Sequence, residues 1–239
     1  MARPWTTLGR AATSAGELVL RRRGEHDFLI SIDGRVLMTS AAHRSESALA
    51  EWACDGLVRG RVRVLIGGLG MGYTLRAALD SLGPDARVTV AELEECVVEW
   101  CRGPLAPLTG AAARDPRVEL AVADVMAVVR DAADGTRPRF DAIAIDLFEG
   151  PRGTRDEDRH PLYGDSALAS ARAALTAQGV FAVWSEEPAR GFEKRLGRAG
   201  FAVEKRRAGE GGRRHTLYRA RPSALGQLHR ASRSYSSRR

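Results

Sequence analysis

Four apolar runs in this chain of 239 residues end on glycines or on a carboxylate. "RVRVLIGG" leads into Gly67, Gly68, Gly70 and Gly72, "RVTVAEL" reaches Glu92, and "RVELAVAD" stops at Asp124. "FDAIAIDLFE" brings Asp146, with Glu149 three residues later, and a fifth run, "GVFAVWSEE", carries Glu186 near its end. Glycines after a strand let the backbone turn tightly and come close to a ligand, while the next helix offers unpaired N–H groups. A carboxylate roughly 20 residues further on is placed to accept hydrogen bonds from both hydroxyls of a ribose. Acids gathered at one sheet edge repel one another unless a ligand occupies them, so the set points to a binding site. Any one of them could instead cap a helix. Asp124, just ahead of "VMAVV", is the best placed to do so.

These ends can share a site only if the runs lie side by side. The steady alternation of strand-like and helix-compatible segments predicts a mostly parallel sheet covered on both faces, with right-handed crossovers. The last pair, "FAVEKRRA" and "RRHTLYRAR", is joined by "GEGG" and reads as an antiparallel hairpin closing the sheet edge. Such an ending suits S-adenosylmethionine-dependent transferases better than dinucleotide-binding dehydrogenases. Upstream, residues 17–39 hold three short strand-like runs broken at "RGEHD" and at the hairpin signal "DG", which predicts a small antiparallel sheet after a loose N-terminal arm. From Thr39 or Ser40 the pattern turns helical through "ESALAEWACDGLV", with Gly60 beyond its end. The expected class is α/β: a Rossmann-like methyltransferase sheet, mostly parallel with an antiparallel C-terminal hairpin, and a small N-terminal antiparallel β-sheet. The expected divisions are 1–40 for arm and small sheet, 41–221 for the nucleoside-binding domain and 222–239 for a basic, disordered tail.

The formal charge of +7 hints at an anionic partner, but residues 211–239 hold eight arginines and no acid, which leaves −1 for the remainder. A basic nucleic-acid groove in the body is therefore not expected. Cys54, Cys96 and Cys101 show no metal-like spacing, and their odd number argues against a disulfide framework. His26, His43, His215 and His229 are scattered, so no metal is expected. No apolar run approaches the roughly 18 residues of a membrane span. The expectation is a cytoplasmic protein with no membrane partner.

At this point the motifs carry a family likeness. "VLIGGLGMGY" resembles, without a gap, the first strand and turn of the spermidine synthases, the polyamine aminopropyltransferases. Their E-I-D is matched by "ELE" from Glu92, their G-D-G-F by "ADVM" around Asp124, and their D-S-S-D-P by "DLFEGP" with Asp146 and Glu149 in the two acid places. Their Q-x-E-S-P resembles "WSEEP" and places Glu186. The resemblance implies a donor site built from Gly68, Gly70, Met71, Gly72, Glu92, Asp124 and Asp146, with Glu92 on the ribose and Asp124 on the adenine amino group. It implies that Asp146 orients and deprotonates an attacking amine, assisted by Glu149, and that Phe148, Tyr163 and Glu186 face the substrate. Tyr163 and His160 in "RHPLYGD" fall where the family has a loop over the substrate; the alternative is a packing tyrosine and a surface histidine. Because the family's leading sheet often sits between subunits, the resemblance also implies a homodimer.

Three departures fall on the substrate side. Met71 stands where the family carries an acid for the amine of decarboxylated S-adenosylmethionine, and a thioether cannot neutralise an ammonium. The family's Y-x-E motif has no clear match in "SESALAEWA", and Leu147 and Phe148 replace two serines. These departures put methyl transfer from S-adenosylmethionine to a small, amine-bearing acceptor ahead of aminopropyl transfer from the decarboxylated donor. A nucleoside-binding protein without turnover is a third possibility.

Overall fold

Two sheets of unequal size build the chain, described here from a computed structural model for residues 3–57, 60–148, 150–151, 157–210 and 213–223. The smaller is a four-stranded antiparallel meander, β1 (Thr6–Thr13), β2 (Gly16–Arg23), β3 (Asp27–Ile32) and β4 (Arg35–Thr39), paired in chain order. Its middle strands send Leu18, Leu20, Phe28 and Ile30 into the core. The β3–β4 turn is Asp33–Gly34, both at positive φ (45° and 81°), the conformation for which an Asp-Gly pair is suited.

β1 corrects the expectation of a loose arm. "TTLGRAAT" lacks apolar alternation and only half-buries its side chains, so nothing in its pattern marks a strand. Pairing with β2 orders it as an edge, and a Cβ on Gly9 would come 2.6 Å from Trp100 Nε1. The first helix, α1 (Arg44–Cys54), begins later than expected: Thr39 still belongs to β4, and the Ser40 hydroxyl accepts from Phe28 N–H (2.9 Å) and donates to the His26 carbonyl (2.9 Å). The helix also stops sooner, at Gly56 with φ 76° rather than at Gly60.

The larger sheet holds β5 (Arg63–Gly67), β6 (Arg87–Glu92), β7 (Val118–Val122), β8 (Phe140–Ile145), β9 (Leu175–Ser185), β10 (Phe201–Glu210) and β11 (Arg213–Pro222), in the order β10-β11-β9-β8-β5-β6-β7. β5 to β9 pair in parallel, while β11 runs antiparallel between β9 and β10, as the sequence predicts. Five helices complete the layers: α2 (Tyr73–Ser81), α3 (Glu95–Arg102), α4 (Val125–Asp134), α5 (Asp165–Ala174) and α6 (Arg190–Arg198). The central strands are apolar on both sides, as a doubly covered sheet requires. Val64, Ile66, Ala142, Ala144 and Val180 join the core under α1, α2 and the small sheet, and Leu65, Ile143, Ile145, Phe181 and Val183 join the core under α4, α5 and α6.

The order of strands decides where a site can form. The chain lays β5, β6 and β7 outward in one direction, then returns to place β8 on the other side of β5. That reversal leaves a crevice beyond the carboxyl ends of β5 and β8. No helix among the described residues is long and apolar enough to cross a membrane. Glu149, the charged stretch 152–156 and the basic tail from 224 lie outside the described residues.

Candidate active site

The glycine turn after β5 is shaped by the chain's own backbone as much as by any ligand. Gly68 takes φ 92°, and a Cβ there would lie 2.4 Å from the Asp146 carbonyl oxygen; one on Gly70 (φ 52°) would lie 2.7 Å from Met38 Cε. Without those side chains the ends of β5 and β8 close on each other, with Asp146 N–H donating to the Gly67 carbonyl at 2.9 Å. Asp146 is thereby fixed at the crevice. The Thr74 hydroxyl, in the first turn of α2, donates to its Oδ2.

Glu46 is the lining residue of this crevice that the sequence does not announce. It lies in the first turn of α1, exactly one hundred positions before Asp146 in number, and both line the same groove and the same small adjoining cavity. Burial pushes the Asp146 carboxyl up to about 7, Glu46's charge adds to the rise, and the Thr74 hydroxyl opposes it. Ser45 Oγ donates to Glu46 Oε2 at 2.5 Å and accepts from Trp184 Nε1–H at 3.2 Å. The "SES" triplet at a helix start is the only local signal for Glu46. The groove encloses about 350 Å³ between β4, the start of α1 and the ends of β8, β9 and β11.

Beyond the turn, on the β6–β7 side, the edge is an open ledge. Glu92 Oε2 accepts from Leu69 N–H (2.7 Å) and Oε1 from Glu94 N–H (3.1 Å), so the carboxylate ties the glycine turn to the start of α3. Next to it Leu93 and Val122 expose 62% and 52% of their surface, apolar area on which a flat ring could rest. Asp124 caps α4 by accepting from Met126 N–H at 2.9 Å, and its side chain remains exposed. Capping leaves carboxylate lone pairs for an exocyclic amino group.

The remaining expected residues divide. Phe148 and Glu186 line the groove, and Arg35 places its guanidinium 4.8 Å over the Phe148 ring. Met71 is only 2% exposed and packs into the core, touching just the small cavity that Glu46 and Asp146 also line. Tyr163 is a core residue, stacked on His160 (5.0 Å between ring centres) and edge-on to Phe192 (5.7 Å). Its hydroxyl has no hydrogen-bond partner among the described residues; burial, and secondarily the charge of Asp146, drive its pKa above the ordinary tyrosine range.

Known proteins share this fold. No protein-family model matches the chain. A polyamine aminopropyltransferase of Corynebacterium efficiens is 34% identical over 132 residues, which is 55% of this chain and 24% of that protein. The match thus spans about a quarter of the relative's length. Spermidine synthase from Thermotoga maritima superposes with a TM-score of 0.70 at 20% identity, over 90% of this chain and 72% of its own. A spermidine synthase in complex with the transition-state analogue AdoDATO superposes with a TM-score of 0.67 at 19% identity, over 90% and 71% of the two chains.

Sheet order, closing hairpin and switch-point crevice define a class I methyltransferase-like α/β protein preceded by a small antiparallel sheet. More particularly, part of the chain is similar to a polyamine aminopropyltransferase, and the whole has the fold seen in solved spermidine synthases.

Proposed function

We propose that the chain transfers an aminopropyl group from decarboxylated S-adenosylmethionine to a small amine acceptor. The observation that carries this reading is the meeting of Asp146 and Glu46 at the switch-point crevice. The donor would supply a carbon activated by its sulfonium: the acceptor nitrogen bonds to it while the carbon–sulfur bond breaks, leaving its electrons on sulfur as a neutral thioether. The acceptor's surplus proton goes to Asp146, whose carboxyl, held up to about 7, is matched to proton transfer near neutrality. Alignment of nitrogen, carbon and sulfur supplies much of the remaining acceleration.

Glu46 also answers the departure at Met71. The negative charge that a thioether cannot provide is brought by α1 to the cavity that Met71 lines. Two acids there attract the ammonium of the decarboxylated donor and repel the carboxylate of intact S-adenosylmethionine. Together with the aminopropyltransferase relative, this favours aminopropyl over methyl transfer and reverses the order that the sequence suggests. Under the same proposal Glu92 receives the ribose, Leu93 and Val122 support the adenine, Asp124 takes its amino group, and Phe148 and Glu186 contact the acceptor. Calorimetric titration tests the donor. The decarboxylated form should bind at least about tenfold tighter than the intact one, ~1.4 kcal/mol; the reverse preference returns methyl transfer, and no binding of either removes the nucleoside site.

A further inference from the structure

We infer that Trp184 and Ser45 are positioning residues that fix Glu46 as the charged member of the acid pair and leave Asp146 as the member that takes the proton. The case rests on the direction in which hydrogen bonds can run. An indole N–H can only donate. Trp184 Nε1–H donates to Ser45 Oγ at 3.2 Å, and the Ser45 hydroxyl in turn directs its single proton to Glu46 Oε2, 2.5 Å away. Both relay residues are buried, Ser45 at 4% and Trp184 at 9% exposure, and His215 stacks on the indole at 4.6 Å, so the relay has little freedom to reverse. Glu46 Oε2 thus meets a donor rather than an acceptor, the kind of partner a carboxylate takes.

Asp146 has a different kind of partner. Thr74 Oγ1 donates to Asp146 Oδ2, but it also lies 3.5 Å from the Glu46 carbonyl oxygen. When Asp146 gains a proton, its O–H can donate to Thr74 Oγ1 while the threonine hydroxyl turns towards that carbonyl. One acid thus has a fixed donor and the other a reversible one. Other ionisable groups surround the pair: Arg35 from β4, His43 and Arg44 from the start of α1, Tyr73 from α2, Tyr163 ahead of α5 and Glu186 at the end of β9.

The inference rests on the proposed function and deepens it by naming the residues that decide which acid receives the acceptor's proton, and its test needs no turnover. Carboxyl-carbon NMR titration of the full chain, without donor or acceptor, follows Asp146 and Glu46 separately. In the wild type the Asp146 carbon should carry the change near pH 7. In Ser45→Ala that change should be divided between the two carbons, and the Asp146 midpoint should fall by about one pH unit, because Glu46 can then hold the proton and repels Asp146 less. Trp184→Phe should move both in the same sense by a smaller amount, and Ser45→Thr, which keeps the hydroxyl, should behave as wild type. Unchanged titrations in both Ser45→Ala and Trp184→Phe, or equal treatment of Ser45→Thr and Ser45→Ala, overturn the relay. Titrations as expected in the wild type and in Ser45→Ala, with no sulfonium donor turned over by the wild type, would refute the proposed function and leave the relay standing.

Discussion

Two clefts of nearly equal size open at opposite edges of the large sheet, about 350 Å³ at the carboxyl ends and about 340 Å³ at the amino ends. Charge lines both, but it is settled in one and left unsettled in the other. At the amino edge Arg117 meets Asp115 at 2.9 Å and the carbonyls of Leu79 and Leu82 at 3.0 and 3.1 Å, and the Arg117 hydrogen bonds hold the Asp115 carboxyl down to about 2. Arg137 pairs with Glu119 at 3.3 Å, and Thr89 donates to the same carboxylate at 3.1 Å. At the carboxyl edge two acids face one another, and Asp146 is pushed up by burial and by its neighbour. A cleft of this size alone does not mark a site; an electrostatic cost that only a ligand or a proton relieves does.

The strongest way to break this contrast is Asp146→Asn. Turnover should fall by about 10²–10⁴-fold, the usual contribution of a general base. An unchanged rate would remove Asp146 from its role. The same substitution should raise stability, because the folded-state pKa is above the unfolded value near 3.9. The sign follows: wild-type stability is full below pH 4 and is lost as pH rises through 7. Asn avoids that loss, so thermal unfolding should show it more stable by on the order of 2–4 kcal/mol at pH 8, with the advantage gone at pH 4.

Arg117→Met probes the settled cleft. It should cost about 1–3 kcal/mol of unfolding free energy at pH 7 and leave kcat/KM of the folded fraction unchanged. Its cost should shrink as pH falls towards 2, where the wild type itself loses the Asp115 pair. Glu92→Ala should weaken donor binding by about 1–3 kcal/mol in calorimetry, since it removes a charged acceptor and releases Leu69 N–H. The smallest effect belongs to Phe148→Ala, where loss of the Arg35 contact should raise the acceptor KM by about two- to fivefold, 0.5–1 kcal/mol, with kcat near wild type.

What the sequence showed of this contrast depended on how local each feature is. Strands β5 to β9 and the closing hairpin announce themselves through apolar runs and turn residues, and the acids at their ends follow directly. β1 was hidden because its order comes from pairing with β2 rather than from its own pattern. Glu46 was hidden for a related reason: only the packing of α1 over the β8 end brings it to Asp146, and nothing in "SES" tells of that approach. Met71 looks like a ligand-facing substitution in the sequence because it stands where the resembling family carries an acid, whereas its side chain packs inward at 2% exposure.

The most direct test of the central claim is product analysis. Purified protein, decarboxylated S-adenosylmethionine and a small diamine should yield methylthioadenosine and the aminopropylated amine by mass spectrometry, with Asp146→Asn inactive. Formation of S-adenosylhomocysteine and a methylated amine from intact S-adenosylmethionine, with no thioether from the decarboxylated donor, would contradict it.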